Sequence, residues 1–126
     1  MEVKLEVRRD YVLIAFTGSL SLPMVHQALR DGIDAAADSG LHRILFDWSG
    51  MKALLTTGQR LEFGEIGAAH ALGKTWRNPP RLAAFGSFPA LNGLAAMVAS
   101  NRGFSAQAFP DERQALDWLG IGQDEL

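Results

Sequence analysis

The sequence predicts one layered α/β domain with a mixed, mostly parallel five-stranded sheet and four helices, in the order ββαβαβαβα. Two observations predict this class: an opening pair of strand-like segments, and a regular alternation of short apolar segments with longer amphipathic ones after that pair. Strands that alternate with helices pair in parallel, because each helix returns the chain across a face of the sheet. The 126 residues have the length of one domain, so we assign residues 1–126 to it.

The first two segments differ in their pattern of apolar residues. Val3, Leu5 and Val7 alternate with charged residues, which is the period of a strand with one wet face. Residues 9 and 10 are expected to turn the chain into the nearly all-apolar residues 11–16, which suit a strand covered on both faces. The two segments are therefore predicted to form a hairpin.

The first amphipathic segment has clear helix signals at both ends. Pro23 suits the first turn of a helix, and Gly40 suits the position just after its end. Residues at helical spacing between them predict a buried stripe of Val25, Ala28, Leu29, Gly32, Ile33 and Ala36. The apolar residues 43–47 follow, and they predict a central strand.

The second helix is predicted to begin near Thr57, with Phe63, Ile66 and Ala69 at core spacing. It is expected to fray before the prolines at 79 and 80, because residues that precede proline avoid helical angles. Residues 81–85 predict the next strand. A third helix then opens near Pro89, and its predicted stripe is Leu91, Leu94, Ala95 and Val98.

The last two elements are a short strand and a short helix. Residues 105–109 are expected to form an edge-like strand. Asp111 and Gln114 then fit a D-x-x-Q capping box at the start of a helix that packs through Leu116 and Leu119.

Composition excludes several kinds of site. The chain has no cysteine, which excludes disulfide bonds, thiolate metal sites and a cysteine nucleophile. The formal charge of -2 gives no general attraction to nucleic acid or to anionic lipid. The histidines His26, His42 and His70 lack the spacing of metal ligands, so we expect no metal and no cofactor.

The sequence carries no sign of export or of membrane insertion. Its first ten residues are charged throughout and lack the apolar core of a signal peptide. No run approaches the roughly 18 consecutive apolar residues that a membrane span needs. We therefore expect a cytoplasmic protein without a membrane span.

A basic segment at residues 70–81 places Lys74, Arg77 and Arg81 around Trp76. Basic residues interleaved with an aromatic side chain can hold single-stranded nucleic acid. Three cations on an acidic chain favour the simpler interpretation, a solvated connector between a helix and a strand. We therefore expect no nucleic-acid partner.

Two interpretations apply to the start of the second helix. Thr56 and Gln59 fit a capping box, in which the Thr56 hydroxyl accepts the Gln59 N–H and the Gln59 side chain reaches back to Thr56. The same helix N-terminus would also stabilise an added phosphate through its free N–H groups and its dipole. A hydroxyl that caps a helix can be phosphorylated, so both interpretations stay open for Thr56 and for the neighbouring Thr57.

Asp47 is predicted at the carboxyl end of a central strand, where ligands and catalytic groups collect in open α/β sheets. An aspartate at such a turn also bonds nearby loop N–H groups, and no catalytic partner for it is identifiable. Trp48 is expected to be exposed in the loop that follows, which favours it as a contact residue for a partner.

The order of elements, together with Asp47-Trp48-Ser49-Gly50-Met51 and Leu55-Thr56-Thr57-Gly58-Gln59, resembles the STAS domain of bacterial anti-sigma-factor antagonists, the SpoIIAA-like group. The family pattern is D-L-S-G-V, followed a few residues later by D-S-[ST]-G-L at the start of the second helix. Residues 109–119 are similar to the last strand and helix of the family. The resemblance covers nearly the whole chain.

The resemblance implies a non-enzymatic protein-interaction module in signalling. In signalling members, a serine at the place of Thr56 is phosphorylated by a partner kinase of the anti-sigma type. Carried over to this chain, Thr56 or Thr57 would be the phospho-acceptor or cap, and Asp47, Ser49 and Gly58 would frame the site. The partner contacts would then be Trp48, Gln59, Arg60 and Phe63.

Three departures from the family pattern weigh against phosphorylation. Leu55 stands where the family has an acidic residue, Gln59 replaces an apolar one, and Thr56 replaces serine. These departures fit a divergent branch of the family that also resembles lipid-binding Sec14-like domains.

A second hypothesis is that the chain binds or senses a small apolar ligand or lipid in a groove between helices. Such a groove would lie around Phe63, Ile66, Leu94 and Met97. A catalytic function rests on Asp47 alone, so we expect no enzyme. Formation of a homodimer stays open.

Overall fold

The computed structural model describes residues 1–51, 55–86 and 105–121, which form a five-stranded sheet with helices on both faces. The strands are β1 (Glu2–Val7), β2 (Val12–Gly18), β3 (Arg43–Met51), β4 (Arg81–Phe85) and β5 (Ser105–Phe109). The helices are α1 (Leu22–Asp38), α2 (Thr57–Leu72) and α3 (Glu112–Leu119). The third predicted helix, with its stripe from Leu91 to Val98, lies outside the described residues.

The strands lie in the sheet in chain order, from β1 at one edge to β5 at the other. β1 runs antiparallel to β2, and each later pair is parallel. The predicted hairpin, the mostly parallel sheet and the edge position of the last strand are therefore confirmed. β3 is the middle strand of the sheet, and side chains of the helices cover both of its faces.

α1 follows its predicted pattern along its whole length. All six residues of the predicted stripe are buried: Val25, Ala28, Leu29, Gly32, Ile33 and Ala36. The helix ends where expected, because the Gly40 N–H donates to the Ala37 carbonyl and the Leu41 N–H donates to the Ala36 carbonyl. This pair of hydrogen bonds satisfies carbonyl groups at the helix end that would otherwise lack partners.

α2 packs Phe63 and Ile66 against the core as predicted, but not Ala69. Phe63 is buried and Ile66 is half-buried, but Ala69 is exposed, so its assignment to the core is wrong. The buried residues of this helix include Gly64 and Gly67, and a Cβ atom on Gly67 would lie 3.3 Å from a Leu29 methyl group of α1. Gly67 therefore lets the two helices approach closely at this point.

α3 covers the opposite face of the sheet. Its residues Ala115, Leu116 and Leu119 are buried against a second cluster that includes Leu45 of β3 and Phe85 of β4. Asp111 caps the helix as predicted, because its carboxylate accepts the Gln114 N–H at 2.9 Å. The Gln114 side chain differs from the expectation: it donates to the second Asp111 oxygen at 3.4 Å instead of bonding the backbone N–H of the cap.

The basic segment is divided between the two layers of helices. Lys74 pairs with Asp34 of α1 at 2.7 Å, whereas the Arg81 guanidinium lies 4.3 Å from the centre of the Trp118 ring of α3. The Trp76 indole donates to the Ala71 carbonyl at 2.8 Å. These contacts fasten the connector between α2 and β4 to the fold, which supports the connector interpretation over a nucleic-acid surface.

Candidate functional site

β3 continues four residues beyond its predicted end at Asp47, and it does so through a β-bulge. Ala15 of β2 lies opposite Asp47, but Thr17 lies opposite Gly50, so β3 has one more residue than β2 in this stretch. An extra residue reverses the alternation of the side chains that follow it. As a result Trp48 and Met51, which are three positions apart, both reach the core under α1 and α2.

Trp48 is buried, with 2% of its surface exposed, so the prediction of an exposed contact residue is wrong. Its ring packs against Phe16 and Phe63, with 4.5 Å and 5.4 Å between ring centroids. Phe63 is itself only 8% exposed, which agrees with its predicted core spacing and leaves little of its side chain available to a partner. The physical reason is the longer strand: Trp48 lies on β3, on the same face as Phe46, instead of in a loop.

Asp47 holds the shape of the bulge. One of its carboxylate oxygens accepts the Ser49 backbone N–H at 2.9 Å and the Ser49 hydroxyl at 2.5 Å. Both bonds are local, so the structure supports the turn-stabilising interpretation of this aspartate. Ser49 is exposed, and its hydroxyl is oriented by the carboxylate.

Two glycines let the ends of the neighbouring strands approach the bulge. A Cβ atom on Gly50 would lie 2.7 Å from the Thr17 side chain of β2. A Cβ atom on Gly86, just after β4, would lie 2.7 Å from the Ser49 backbone nitrogen, and Gly86 has a φ of +140°. The role of Gly86 was not predicted; the available signal was a glycine directly after an apolar strand.

The start of α2 shows the predicted capping box in full. The Gln59 N–H donates to the Thr56 hydroxyl oxygen at 3.2 Å, and the Thr56 N–H donates to the Gln59 side-chain oxygen at 2.9 Å. The Arg60 guanidinium donates to the Leu55 carbonyl at 2.8 Å. The first turn of the helix therefore has a fixed backbone and two fixed polar side chains.

Exposure defines which predicted residues can meet a partner. Thr56 and Gly58 are exposed, Gln59 and Arg60 are half-buried, and a Cβ atom on Gly58 would meet nothing within 4 Å. Thr57 is the first residue of α2, and the prediction for its side chain lies outside what the structure describes. We call Thr56, Gly58, Gln59 and Arg60 together the α2 start surface.

The site residues form two groups with separate hydrogen bonds. Asp47 and Ser49 bond each other at the end of β3, and Thr56 and Gln59 bond each other at the start of α2. Both groups belong to the carboxyl edge of the parallel strands, because α2 begins shortly after β3 ends. Residues 52–54, which join them, are outside the described residues.

The predicted apolar groove is only partly within the described residues. Phe63 fills the aromatic core, and Leu94 and Met97 lie in the segment that the structure does not describe. A cleft of about 220 Å³ lies elsewhere, between the end of α1 and the connector after α2. It is lined by Asp38 and Arg77 as well as by Leu41 and Trp76, so it is mixed in polarity.

The described residues contain neither a cluster of metal ligands nor a helix that could cross a membrane. Within residues 1–51, 55–86 and 105–121, no three His, Cys, Asp or Glu side chains gather closely enough to hold a metal ion. The helices in that part of the chain are too short or too polar for any of them to cross a membrane.

Known structures identify the class of fold. An anti-sigma factor antagonist from Mycobacterium paratuberculosis superposes with a TM-score of 0.59 at 17% identity, over 94% of this chain and 93% of that one. Unphosphorylated SpoIIAA, an anti-sigma factor antagonist, gives a TM-score of 0.52 at 20% identity, over 97% of this chain and 100% of that one. The phosphorylated form of SpoIIAA, a Bacillus cell fate determinant, gives 0.51 at 20% identity, over 94% and 99%.

The chain is thus an α/β domain of the anti-sigma-factor-antagonist class of folds. In particular it has the SpoIIAA-like, or STAS, fold over about nineteen-twentieths of its length, which confirms the resemblance at the level of structure. No protein-family model matches the sequence, and no curated protein matches it either.

Proposed function

We propose that this chain is a non-enzymatic regulatory module that binds an anti-sigma factor through the α2 start surface. The observation that carries the proposal is the first turn of α2, which is exposed at Thr56 and Gly58 and held by reciprocal hydrogen bonds. The partner class comes from the structures with the same fold, which include two anti-sigma factor antagonists.

The physical properties of the α2 start surface suit a protein partner. Gln59 and Arg60 are already fixed by bonds to Thr56 and to the Leu55 carbonyl, so little side-chain entropy is lost when a partner binds them. Gly58 leaves open space at the centre of the turn, where the backbone of a partner can approach closely. These two features support a role in binding a protein partner, without a catalytic step.

We further propose that Thr56 acts as a helix cap and is not a phosphorylation site. Its hydroxyl oxygen already accepts the Gln59 N–H, and the neighbouring Leu55 is buried and apolar. SpoIIAA has been solved in unphosphorylated and phosphorylated forms, so the phosphorylation state of this protein is a natural test. Mass spectrometry of protein purified from its own host should find no stoichiometric phosphate on Thr56; finding one would contradict this proposal.

A matched pair of variants tests the α2 start surface. Gly58→Arg should fold normally, because nothing lies within 4 Å of the position of a Cβ atom there, but its side chain should block a partner. Ala69→Arg adds the same side chain at an exposed position of the same helix, about 16 Å along its axis. Cross-linking in the native host should capture an anti-sigma factor with the wild type and with Ala69→Arg, but not with Gly58→Arg.

A third variant separates the cap from the contact surface. Thr56→Glu should fold normally, since a negative charge at a helix N-terminus is favourable by about 0.3–1 kcal/mol. It should nevertheless change the recovery of the anti-sigma factor, because it adds charge to the proposed contact surface. If the wild type captures no anti-sigma factor, or if all four proteins capture it equally, the proposed function is wrong.

A further inference from the structure

The edge strand β1 exposes a row of apolar side chains, which a neighbouring strand would normally help to cover. Leu5 is 37% exposed and Val7 is 53% exposed, although both lie on the same face as the core residues Ile14 and Val12 of β2. The sequence predicted that Val3, Leu5 and Val7 would form the covered face of this strand. Of the three, Val3 is half-buried, whereas Leu5 and Val7 are exposed. Within the part of the chain that the structure describes, β1 pairs only with β2.

The hairpin determines which backbone groups of β1 point to the free edge. The Arg8 N–H donates to the Tyr11 carbonyl at 2.8 Å, so these opposed residues form a hydrogen-bonded pair. Hydrogen-bonded and non-hydrogen-bonded pairs alternate along an antiparallel ladder, and the β1–β2 register has no shift. The N–H and C=O groups of Val3, Leu5 and Val7 therefore point away from β2.

The charges on the other face of β1 are complementary to a reversed copy of the same strand. With two strands antiparallel and centred on Leu5, Val3 of one lies opposite Val7 of the other, so all three residues with outward backbone groups pair. Lys4 then lies opposite Glu6, and Glu2 opposite Arg8. Each charged side chain faces an opposite charge across the two-fold axis, at the close spacing of non-hydrogen-bonded pairs.

Neighbouring registers that also match the backbone groups bring like charges together. Centring the pair on Lys4 places Lys4 opposite Lys4 and Glu2 opposite Glu6. Centring it on Glu6 places Glu6 opposite Glu6 and Lys4 opposite Arg8. Like charges directly opposed across two strands are destabilising, so these two registers are disfavoured. Registers centred on Val3 or Val7 oppose unlike charges as well, but they pair fewer residues of β1 than the register centred on Leu5.

We propose that a second copy of this chain docks on β1, in antiparallel register centred on Leu5, to give one continuous sheet of ten strands, five from each copy. This pairing covers Leu5 and Val7 and satisfies the outward backbone groups of the edge. It extends the existing Lys4–Glu6 and Arg8–Glu6 ion pairs within each copy into a network across both. The surface is distinct from the α2 start surface, so the proposal does not depend on the proposed function.

Charge-reversal variants of the whole chain test the register directly. Lys4→Glu and Glu6→Lys should each weaken self-association, measured by sedimentation equilibrium, by about tenfold or more, because each turns two attractive cross-strand pairs into repulsive ones. Mixing the two variants should restore association, since both cross-strand pairs between positions 4 and 6 then join a glutamate of one chain to a lysine of the other. Thermal melting of each variant checks that the fold is intact.

A matched control removes the effect of net charge. Labelled Lys4→Glu is titrated with Glu6→Lys or with Glu62→Lys, which has the same net charge but changes an exposed residue of α2. Only Glu6→Lys should bind the labelled chain tightly. Charged residues on an edge strand can also act to prevent pairing. A wild type that stays monomeric at its highest soluble concentration, or two variants that do not rescue each other, would establish that role and overturn the proposal.

Discussion

The layer formed by α1 and α2 and the layer formed by α3 cover opposite faces of one sheet with different kinds of packing. Under α1 and α2, the buried side chains of the described residues include four rings in mutual contact, from Phe16, Phe46, Trp48 and Phe63, and the helices approach each other at Gly67. Under α3, rings from Tyr11, Phe85, Phe109 and Trp118 are mixed with leucine and alanine side chains, and Phe109 contacts Trp118 with 5.7 Å between ring centroids. The four rings under α1 and α2 lie over the bulged end of β3, whereas α3 packs on the regular part of that strand.

This difference shows how one extra residue in a strand changes a core. Before the bulge, Leu45 and Ile44 alternate between the two layers as the pleat requires. After it, Trp48 and Met51 both serve the α1–α2 layer, and Asp47 is left at the edge to bond Ser49. The bulge thus brings Met51 into the α1–α2 layer and leaves polar groups on the rim beside it.

The largest expected effect on stability is in the core under α1 and α2. Trp48→Ala should lower the free energy of unfolding by about 3–5 kcal/mol, because it removes a buried ring from contact with Phe16 and Phe63. Trp48→Phe should cost less, since a ring remains in the cluster. Chemical denaturation measures both. An unchanged stability of Trp48→Ala would mean that the side chain is exposed and that the bulge is misplaced.

Leu116→Ala makes the corresponding change in the α3 layer. Leu116 is fully buried, so its truncation should cost about 2–5 kcal/mol by the same measurement. Arg113, an exposed residue of the same helix, provides the control, because Arg113→Ala should cost much less. Equal losses at the two positions would show that α3 does not pack through its predicted face.

The two helix caps offer a finer comparison of the layers. Thr56→Ala and Asp111→Ala should each cost about 1 kcal/mol, and Thr56→Ser should be nearly neutral. Gln59→Ala should cost more than Gln114→Ala, because only Gln59 satisfies a backbone N–H. Melting curves of the variants measure these differences, and a reversed order for the two glutamines would contradict the reciprocal geometry at Thr56.

The smallest expected effect depends on pH and lies between α1 and the connector. Hydrogen bonds from Lys74 and then His70 hold the pKa of Asp34 below its ordinary value of 3.8. The carboxylate therefore stabilises the native state above that value, and its contribution is lost as the pH falls through the lowered pKa. Asp34→Asn should melt slightly below the wild type at neutral pH, by less than either cap variant, and the difference should vanish in acid. A difference that persists in acid would exclude the ionic contribution.

The sequence by itself determined the features whose causes lie within a few residues of one another. The six-residue stripe of α1, the caps at Thr56 and Asp111 and the order of strands and helices were all predicted from local spacing. Each depends on contacts between neighbours in the chain, such as the hydrogen bonds between Thr56 and Gln59. The residues that form such contacts are adjacent in the sequence, so a pattern can reveal them.

Tertiary structure alone decided which of these residues face solvent. Trp48 is buried because β3 continues past Asp47 and packs it against Phe16 and Phe63, and Gly67 packs on Leu29 of α1 while Ala69 is exposed. Lys74 and Arg81 separate because their partners, Asp34 and Trp118, lie in different layers. In each case the deciding contact joins residues far apart in the chain, and side-chain alternation carries no record of a partner strand's register or of a neighbouring helix's distance.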